Sequence, residues 1–426
     1  MSKILVITVI ILGAIALAFL IRTFELSKQL SGRREDVISD KDNNFISMTY
    51  PIFLVIYLSC LVFLIARYGK GIPPAGSEHG QKIDMLFDIN WSLILTAFTV
   101  THILLFVFAR RYRRQPGRKA YYYPHNPKLE LLWTAIPALV LTGIVIMGLK
   151  TWHQITSPAG PEAINVEIFS EQFKWTARYS GADNKLGEFD YKLTTGNNVL
   201  GLVTSETLDE AIKLMEVGAD DGSVKGIKMM EAVLNDPKTI MVPEDREKME
   251  TDLGIKSRLL RLLYQMKGRH DAKQDKHVYD DVIETDTLHM VVNKLYDFHF
   301  RAKDVIHSAY FPHFRAQMNT VPGMTTHFKI KPIFTTEEMR KKTGQPEWNY
   351  ALICNKVCGS AHYKMKMIIV VETQEQFDNW FKKKDTFGKT YKAHLAELKE
   401  AAAKPVSDST STAPIAVVDT TVLKKS

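Results

Sequence analysis

The chain has 426 residues, a formal charge of +8 and only three cysteines. So few thiols exclude a disulfide-built scaffold, and the lack of a Cys-x-x-Cys-His run excludes a covalently attached c-type haem. Much of the basic charge lies in short loops between long apolar runs, which reads as membrane topology and excludes nucleic acid as a partner.

Four runs are long enough to cross a bilayer: Ile4–Ile21, Ile46–Ala66, Ile89–Ala109 and Leu131–Leu149. The first is either a signal peptide's apolar core or a retained span. Arg22 follows it without a small-x-small cleavage site, and it reads as a span. Cys60 in the second run is a small apolar packer. His102 in the third is a hydrogen-bonded structural residue or part of a proton relay. The loop between the third and fourth runs carries Arg110, Arg111, Arg113, Arg114, Arg118, Lys119 and Lys128, which makes it cytoplasmic. Alternation then puts both termini, and everything after Lys150, on the outer side.

From Ile164 the pattern changes to short alternating apolar runs. Asn165–Tyr179, His289–Phe300, Thr325–Ile333, Tyr350–Cys354 and Met367–Glu372 read as strands. Between them, Leu208–Val217, Val224–Leu234 and Pro243–Met266 carry helical periodicity. The fold class is therefore an α+β membrane protein. N-terminal transmembrane helices lead into an all-β sandwich, and a helical insertion interrupts it. The divisions are 1–70 and 88–150 for the spans, 160–182 with 286–385 for the sandwich, and 183–285 for the insertion. Residues 399–426, rich in Ala, Ser and Thr, read as a disordered tail.

The chemistry concentrates in Cys354-Asn-Lys-Val-Cys358-Gly-Ser-Ala-His362-Tyr-Lys-Met365. Two thiols, an imidazole and a thioether are spaced four, four and three residues apart. Soft sulfur with imidazole suits copper best, then iron–sulfur or zinc. A structural zinc site would use three or four Cys and His ligands, and Met is not one of them. The same positions would also fit one face of a helix, or the two cysteines a plain disulfide. The flanking strand patterns instead place them on a loop, with Gly359 giving the backbone its freedom.

This motif resembles the copper-A loop of subunit II of haem–copper cytochrome c oxidases. Asp304-Val-Ile-His307-Ser308 resembles the family's upstream histidine segment, and Val321-Pro322-Gly323 its strand turn. Asp88-Ile-Asn90-Trp91 and Glu130-Leu-Leu-Trp133-Thr134-Ala-Ile-Pro137 resemble its two-helix hairpin, so the first two spans are extra. The resemblance implies a cupredoxin sandwich holding two copper ions. Cys354 and Cys358 would bridge them, His307 and His362 would bind one each, Met365 would be a weak axial ligand, and the carbonyl of Lys356 the last donor. The family usually has Glu where this chain has Lys356, which implies that a magnesium site bound by that carboxylate is absent.

The resemblance also implies the function. Electrons from a c-type cytochrome would pass through the copper centre to haem on the catalytic subunit I, where oxygen is reduced and protons are pumped. The chain would be a non-catalytic subunit of that proton-translocating enzyme in a bacterial inner membrane, beside subunit I and other subunits. Trp175 and Phe173 fall in the family's aromatic electron-intake strand, though Trp175 also reads as core. Glu130 matches the mouth of a proton path, or is a span-end anchor paired with Lys128. Lys303, Lys174 and Arg178 near the site point to an acidic or tethered cytochrome donor. The alternative is a membrane-anchored copper-delivery protein. A quinol-oxidase subunit, which lacks the cysteines, is a third reading.

Overall fold

A computed structural model of the chain describes residues 2–30, 38–69, 71–219 and 222–403. It divides into two compact units: residues 1–72 with 84–149, and residues 73–83 with everything from 150 onward.

The first unit is helical. Its helices are α1 (Ser2–Leu30), α2 (Asp40–Tyr68), most of α3 (Glu78–Arg111) and most of α4 (Pro127–Thr156). Among the described residues, α2, α3 and α4 are long and apolar enough to cross a membrane, and the apolar window of each is at most 6% buried. Side chains so apolar and so uncovered need lipid or another subunit around them. The first apolar run lies within α1, a single helix. Ser39 caps α2 by accepting the Asp42 N–H at 3.1 Å, with Asp40 and Asp42 in its first turn. Tyr50 and Phe53 of α2 lie against Phe106 of α3, and Tyr57 against Phe98. Arg114, just past α3, reaches Asp40 at 3.2 Å, so the two helices run antiparallel as alternation requires. His102 Nδ1 bonds the Phe98 carbonyl at 2.8 Å, one turn back, as a structural histidine does.

The second unit is built on two five-stranded sheets. Its strands are β1 (Ile164–Glu171), β2 (Lys174–Tyr179), β3 (Val282–Glu284), β4 (Thr287–Val291), β5 (Tyr296–Ala302), β6 (His307–Phe311), β7 (Ala316–Thr320), β8 (Thr326–Ile330), β9 (Tyr350–Cys354) and β10 (Lys366–Glu372). One sheet has the order β3-β2-β1-β5-β8 and the other β4-β10-β9-β6-β7. Two runs expected as single strands are each two. Residues 165–179 fold into the β1–β2 hairpin, with Ser170 opposite Trp175, and residues 289–300 break at Asn293, which has φ +63°. Apolar alternation continues through both turns, so the pattern alone does not expose them. In the second case the break also sends β4 and β5 to different sheets. The strands β3, β6 and β7 have no expected counterpart. Between the sheets, Val166, Ile168, Phe298, Phe300, Phe311, Leu352 and Ile369 are buried. Each contributes about 1.5–3 kcal/mol through apolar burial.

The insertion contains α5 (Ser205–Glu216), α6 (Ile227–Asn235), α7 (Pro243–Arg269) and the short α8 (Asp275–Tyr279). α5 starts before its apolar pattern because Thr204 and Thr207 cap each other's backbone. Leu208, Ala211 and Ile212 of α5 bury against Leu263 of α7, giving the insertion its own small core. Further helices are α9 (Thr336–Thr343), α10 (Gln374–Phe381) and α11 (Phe387–Ala403). The chain does not leave the domain at Lys384. Phe387 and Tyr391, one turn apart, bury against Leu202, Val278 and Phe169. The tail expected from residue 399 is helical to Ala403, and the rest of it lies outside the described residues.

Candidate metal centre

Strand β9 ends at Cys354 and pairs with β10 on one side and β6 on the other. β10 begins just past Met365, so the two edges of the loop are fixed by backbone pairing. In β6 the register sets Ala309 opposite Cys354, which brings His307 to the same end of the sheet. Cys354 Sγ lies 3.9 Å from His307 Nδ1 and 3.8 Å from Cys358 Sγ. Cys358 Sγ lies 3.5 Å from His362 Nδ1 and 3.9 Å from Met365 Sδ. The Lys356 carbonyl accepts from Cys354 Sγ at 3.2 Å, while the Lys356 side chain is exposed. His307, Cys354 and Cys358 have donor atoms within 4.8 Å of one another, while His362 and Met365 each lie beside Cys358 and the Lys356 carbonyl beside Cys354. His307, Cys354, Cys358 and Met365 are buried, and His362 is half-buried at the rim.

The surroundings orient the donors. Asp304 Oδ1 lies 2.9 Å from His307 Nε2, which leaves Nδ1 facing the thiols. The Asp304 carboxyl also accepts the backbone N–H of Gln172 at 2.7 Å and of Val305 at 2.7 Å. Burial pushes this carboxyl up, but the His307 bond and the two backbone bonds hold it below the usual carboxylate range. Burial, with Cys354 alongside, pushes the Cys358 thiol up to about 11. A metal ion bound there would draw off its proton. Gly359, at φ +138°, lies so close to Gln172 and Phe173 that a Cβ there would meet both at 2.8 Å. The Gln172 side-chain amide donates to the Cys358 carbonyl. Sequence reasoning did not single out Gln172. Its only signal was its place one residue before Phe173.

Trp175 is enclosed, with its ring centroid 6.2 Å from that of His307 and its indole N–H donating to the Met365 carbonyl at 3.4 Å. Phe173 is half-buried over Gly359 and is the nearer of the two to the surface. Glu130 is remote in sequence and lies in the other unit. It accepts the Asn126 N–H at 2.9 Å and lies 3.9 Å from His125, so its local partner is its own helix start and not Lys128.

A family described as cytochrome c oxidase subunit II, transmembrane domain, matches residues 66–151. The alternative cytochrome c oxidase subunit 2 of Bradyrhizobium diazoefficiens is 27% identical over 303 residues, covering 70% of this chain and 79% of that one. Over those stretches the chain is similar to subunit II of cytochrome c oxidases. Subunit 2 of Thermostichus vulcanus is similar to it at 23% identity, over 76% of this chain and 82% of that one. The periplasmic domain of subunit II from Bradyrhizobium japonicum superposes only loosely, with a TM-score of 0.25 at 15% identity over 53% of this chain and 94% of that one. The chain's three membrane-capable helices, α2, α3 and α4, agree with the likeness to subunit II. Its α3 and α4 fall almost entirely inside the family's transmembrane match.

Proposed function

We propose that this chain is a subunit II that accepts electrons one at a time from a c-type cytochrome and passes them to haem on subunit I, where oxygen is reduced and protons are pumped. The carrier is a pair of copper ions held by His307, Cys354, Cys358, His362, Met365 and the carbonyl of Lys356. The observation that carries this reading is the buried His307, Cys354 and Cys358 cluster, with Met365 and the half-buried His362 within 3.5–3.9 Å of Cys358. That soft donor set fits copper. Bound copper supplies a one-electron couple shared between two ions. The chain's own residues do the rest. The thiols of Cys354 and Cys358, once deprotonated, would hold the copper as soft donors, and Asp304 fixes the His307 tautomer. The paired strands β6, β9 and β10 limit rearrangement when an electron arrives. Every donor comes from the protein, so no substrate needs to reach the metal. Two five-stranded sheets also speak against a thioredoxin-like copper-delivery protein.

In this reading the β domain faces the outer side of a bacterial cell membrane and the arginine-rich loop faces the cytoplasm. Glu130 is the mouth of a proton path, and Phe173 is the partly exposed contact on the electron path. The basis for an acidic or tethered donor changes. Arg178 is buried among acids, and Lys174 and Lys303 both pair with Glu171, at 2.9 and 2.7 Å. The donor proposal therefore rests on the exposed Lys356, Lys364 and Lys366 around the loop.

The test is Cys358→Ser in the complete oxidase, with copper content and the near-infrared spectrum as readouts. A hydroxyl bridges soft copper poorly, so both coppers and the spectrum should be lost. A variant that keeps two coppers with an unchanged spectrum overturns the proposal.

A further inference from the structure

A concavity of about 570 Å³ opens at the base of the β domain, away from the metal centre. Its walls come from three places. Glu78, His79 and Lys82 belong to the first turns of α3, Gln154 and Ile155 to the last turns of α4, and Lys294, Lys329 and Lys331 to the β4–β5 turn and the end of β8. Four lysines line it against two carboxylates, Glu78 and Glu162. Lys331 is answered by Glu78 at 3.0 Å, and Lys82 lies 3.9 Å from the same carboxyl and bonds Gln154 at 3.2 Å. Lys329 donates to Ser157 at 2.9 Å. Lys294 has no ion pair among the described residues and is exposed. The concavity thus holds an excess of positive charge on flexible stems.

Its height along the chain matters as much as its charge. Glu78–Lys82 end about two turns before the apolar run that starts at Ile89 in α3, and Thr151–Ile155 follow the run that ends at Leu149 in α4. The exposed Trp152 is in the same turn of α4, and tryptophan at the end of a span marks the headgroup level. Lysines with apolar stems suit that boundary, where the ammonium reaches polar ground and the methylenes stay in apolar contact.

We propose that this concavity binds the phosphate of an anionic phospholipid in the leaflet that faces the β domain, with Lys82 and Lys294 as its principal charges. A free phosphate offers the same oxygens, and the difference is the lipid's acyl and glycerol part, which would lie along the apolar flank at Ile155.

The test uses the complete oxidase purified in a non-ionic detergent and native mass spectrometry. Short-chain phosphatidylglycerol, short-chain phosphatidylcholine and inorganic phosphate are titrated separately. Phosphatidylglycerol should bind best. The double variant Lys82→Gln/Lys294→Gln should weaken it roughly 30-fold, from the usual contribution of each lysine at a lipid surface. Lys82→Arg/Lys294→Arg should restore binding while thermal stability stays the same in all three proteins. Inorganic phosphate binding as tightly as the lipid overturns the lipid assignment. Equal binding of the zwitterionic lipid, or no change in the glutamine variant, overturns the site.

Discussion

The sandwich encloses two polar clusters that differ in kind. In one, Glu167 of β1 bridges Arg178 of β2 at 2.6 Å and Arg301 of β5, whose Nε donates to it at 2.6 Å. Asp281 adds a contact to Arg178 at 3.2 Å, and all four residues are at most 7% exposed. Both guanidinia also donate into the insertion, Arg178 to the Gly187 carbonyl at 3.1 Å and Arg301 to that of Leu200 at 3.1 Å. Ion pairs join these groups and fasten the insertion to the sheet, although Arg178 Nε and Asp281 Oδ1 have no hydrogen-bond partner among the described residues and burial pushes the Asp281 carboxyl up to about 8. In the other cluster, the thiols, imidazoles and thioether meet at distances where hydrogen bonds to sulfur are weak, and Asp304 is the one carboxylate bonded to a donor. Such a soft donor set suits a metal ion such as copper. Burial of polar groups therefore does not by itself mark a site. What distinguishes the two is their chemistry: paired guanidinia and carboxylates in one, soft sulfur with imidazole in the other.

Substitutions can break or sharpen that contrast. The largest loss is expected from Glu167→Gln, which leaves two buried guanidinia without their shared anion. It should cost about 3–5 kcal/mol in denaturant unfolding of the outer domain within the full chain, while the metal donors stay in place. A cost under about 1 kcal/mol would mean that the cluster is not a closed structural unit. Next is Asp304→Asn, which weakens the hold on the His307 ring. Metal affinity, measured by competition with a chelator, should fall about 10- to 100-fold while unfolding without metal barely changes. Met365→Leu follows. The buried volume is kept, so metal content should stay and the reduction potential should move, because the thioether tunes the centre more than it holds it. Loss of the metal would promote Met365 to an essential donor.

The smallest effect concerns pH. Burial pushes the Glu171 carboxyl up, but its bonds to Lys303 and Lys174 bring it below the usual range. A depressed carboxyl contributes stability above its unfolded value, and that stability is lost as pH falls through the lower folded value. Wild type should therefore lose melting temperature below about pH 4.5 more steeply than Glu171→Gln. Parallel curves for the two proteins would show that this clamp does not matter.

How much of this was legible in the sequence follows from the range of the interactions. The apolar runs, the strands on either side of the cysteine loop and the Cys-x-x-x-Cys-x-x-x-His-x-x-Met spacing are local, and local spacing maps directly onto local geometry. The Asp304-Val-Ile-His307-Ser308 segment was legible as a motif, but the bond from the His307 ring to the Asp304 carboxyl was not, because loop spacing fixes no contact. The breaks inside 165–179 and 289–300 were not, because alternation runs straight through a tight turn. Nor were β6 and β7, since the strand signal is weak around Pro312 and Arg315. Only the tertiary structure decided that Arg178 is an interior ion-pair partner of Glu167 and Asp281 and not a surface charge near the site, since Asp281 lies 103 residues further along the chain. It also decided that Trp175 is walled in behind His307. Residue types and spacing alone nominate the sulfur and imidazole donors, because soft-ligand chemistry is a property of the side chains. The pairing of β6 with β9 brought His307 to Cys354 across 47 residues, because strand register is fixed by non-local hydrogen bonds that no short motif encodes.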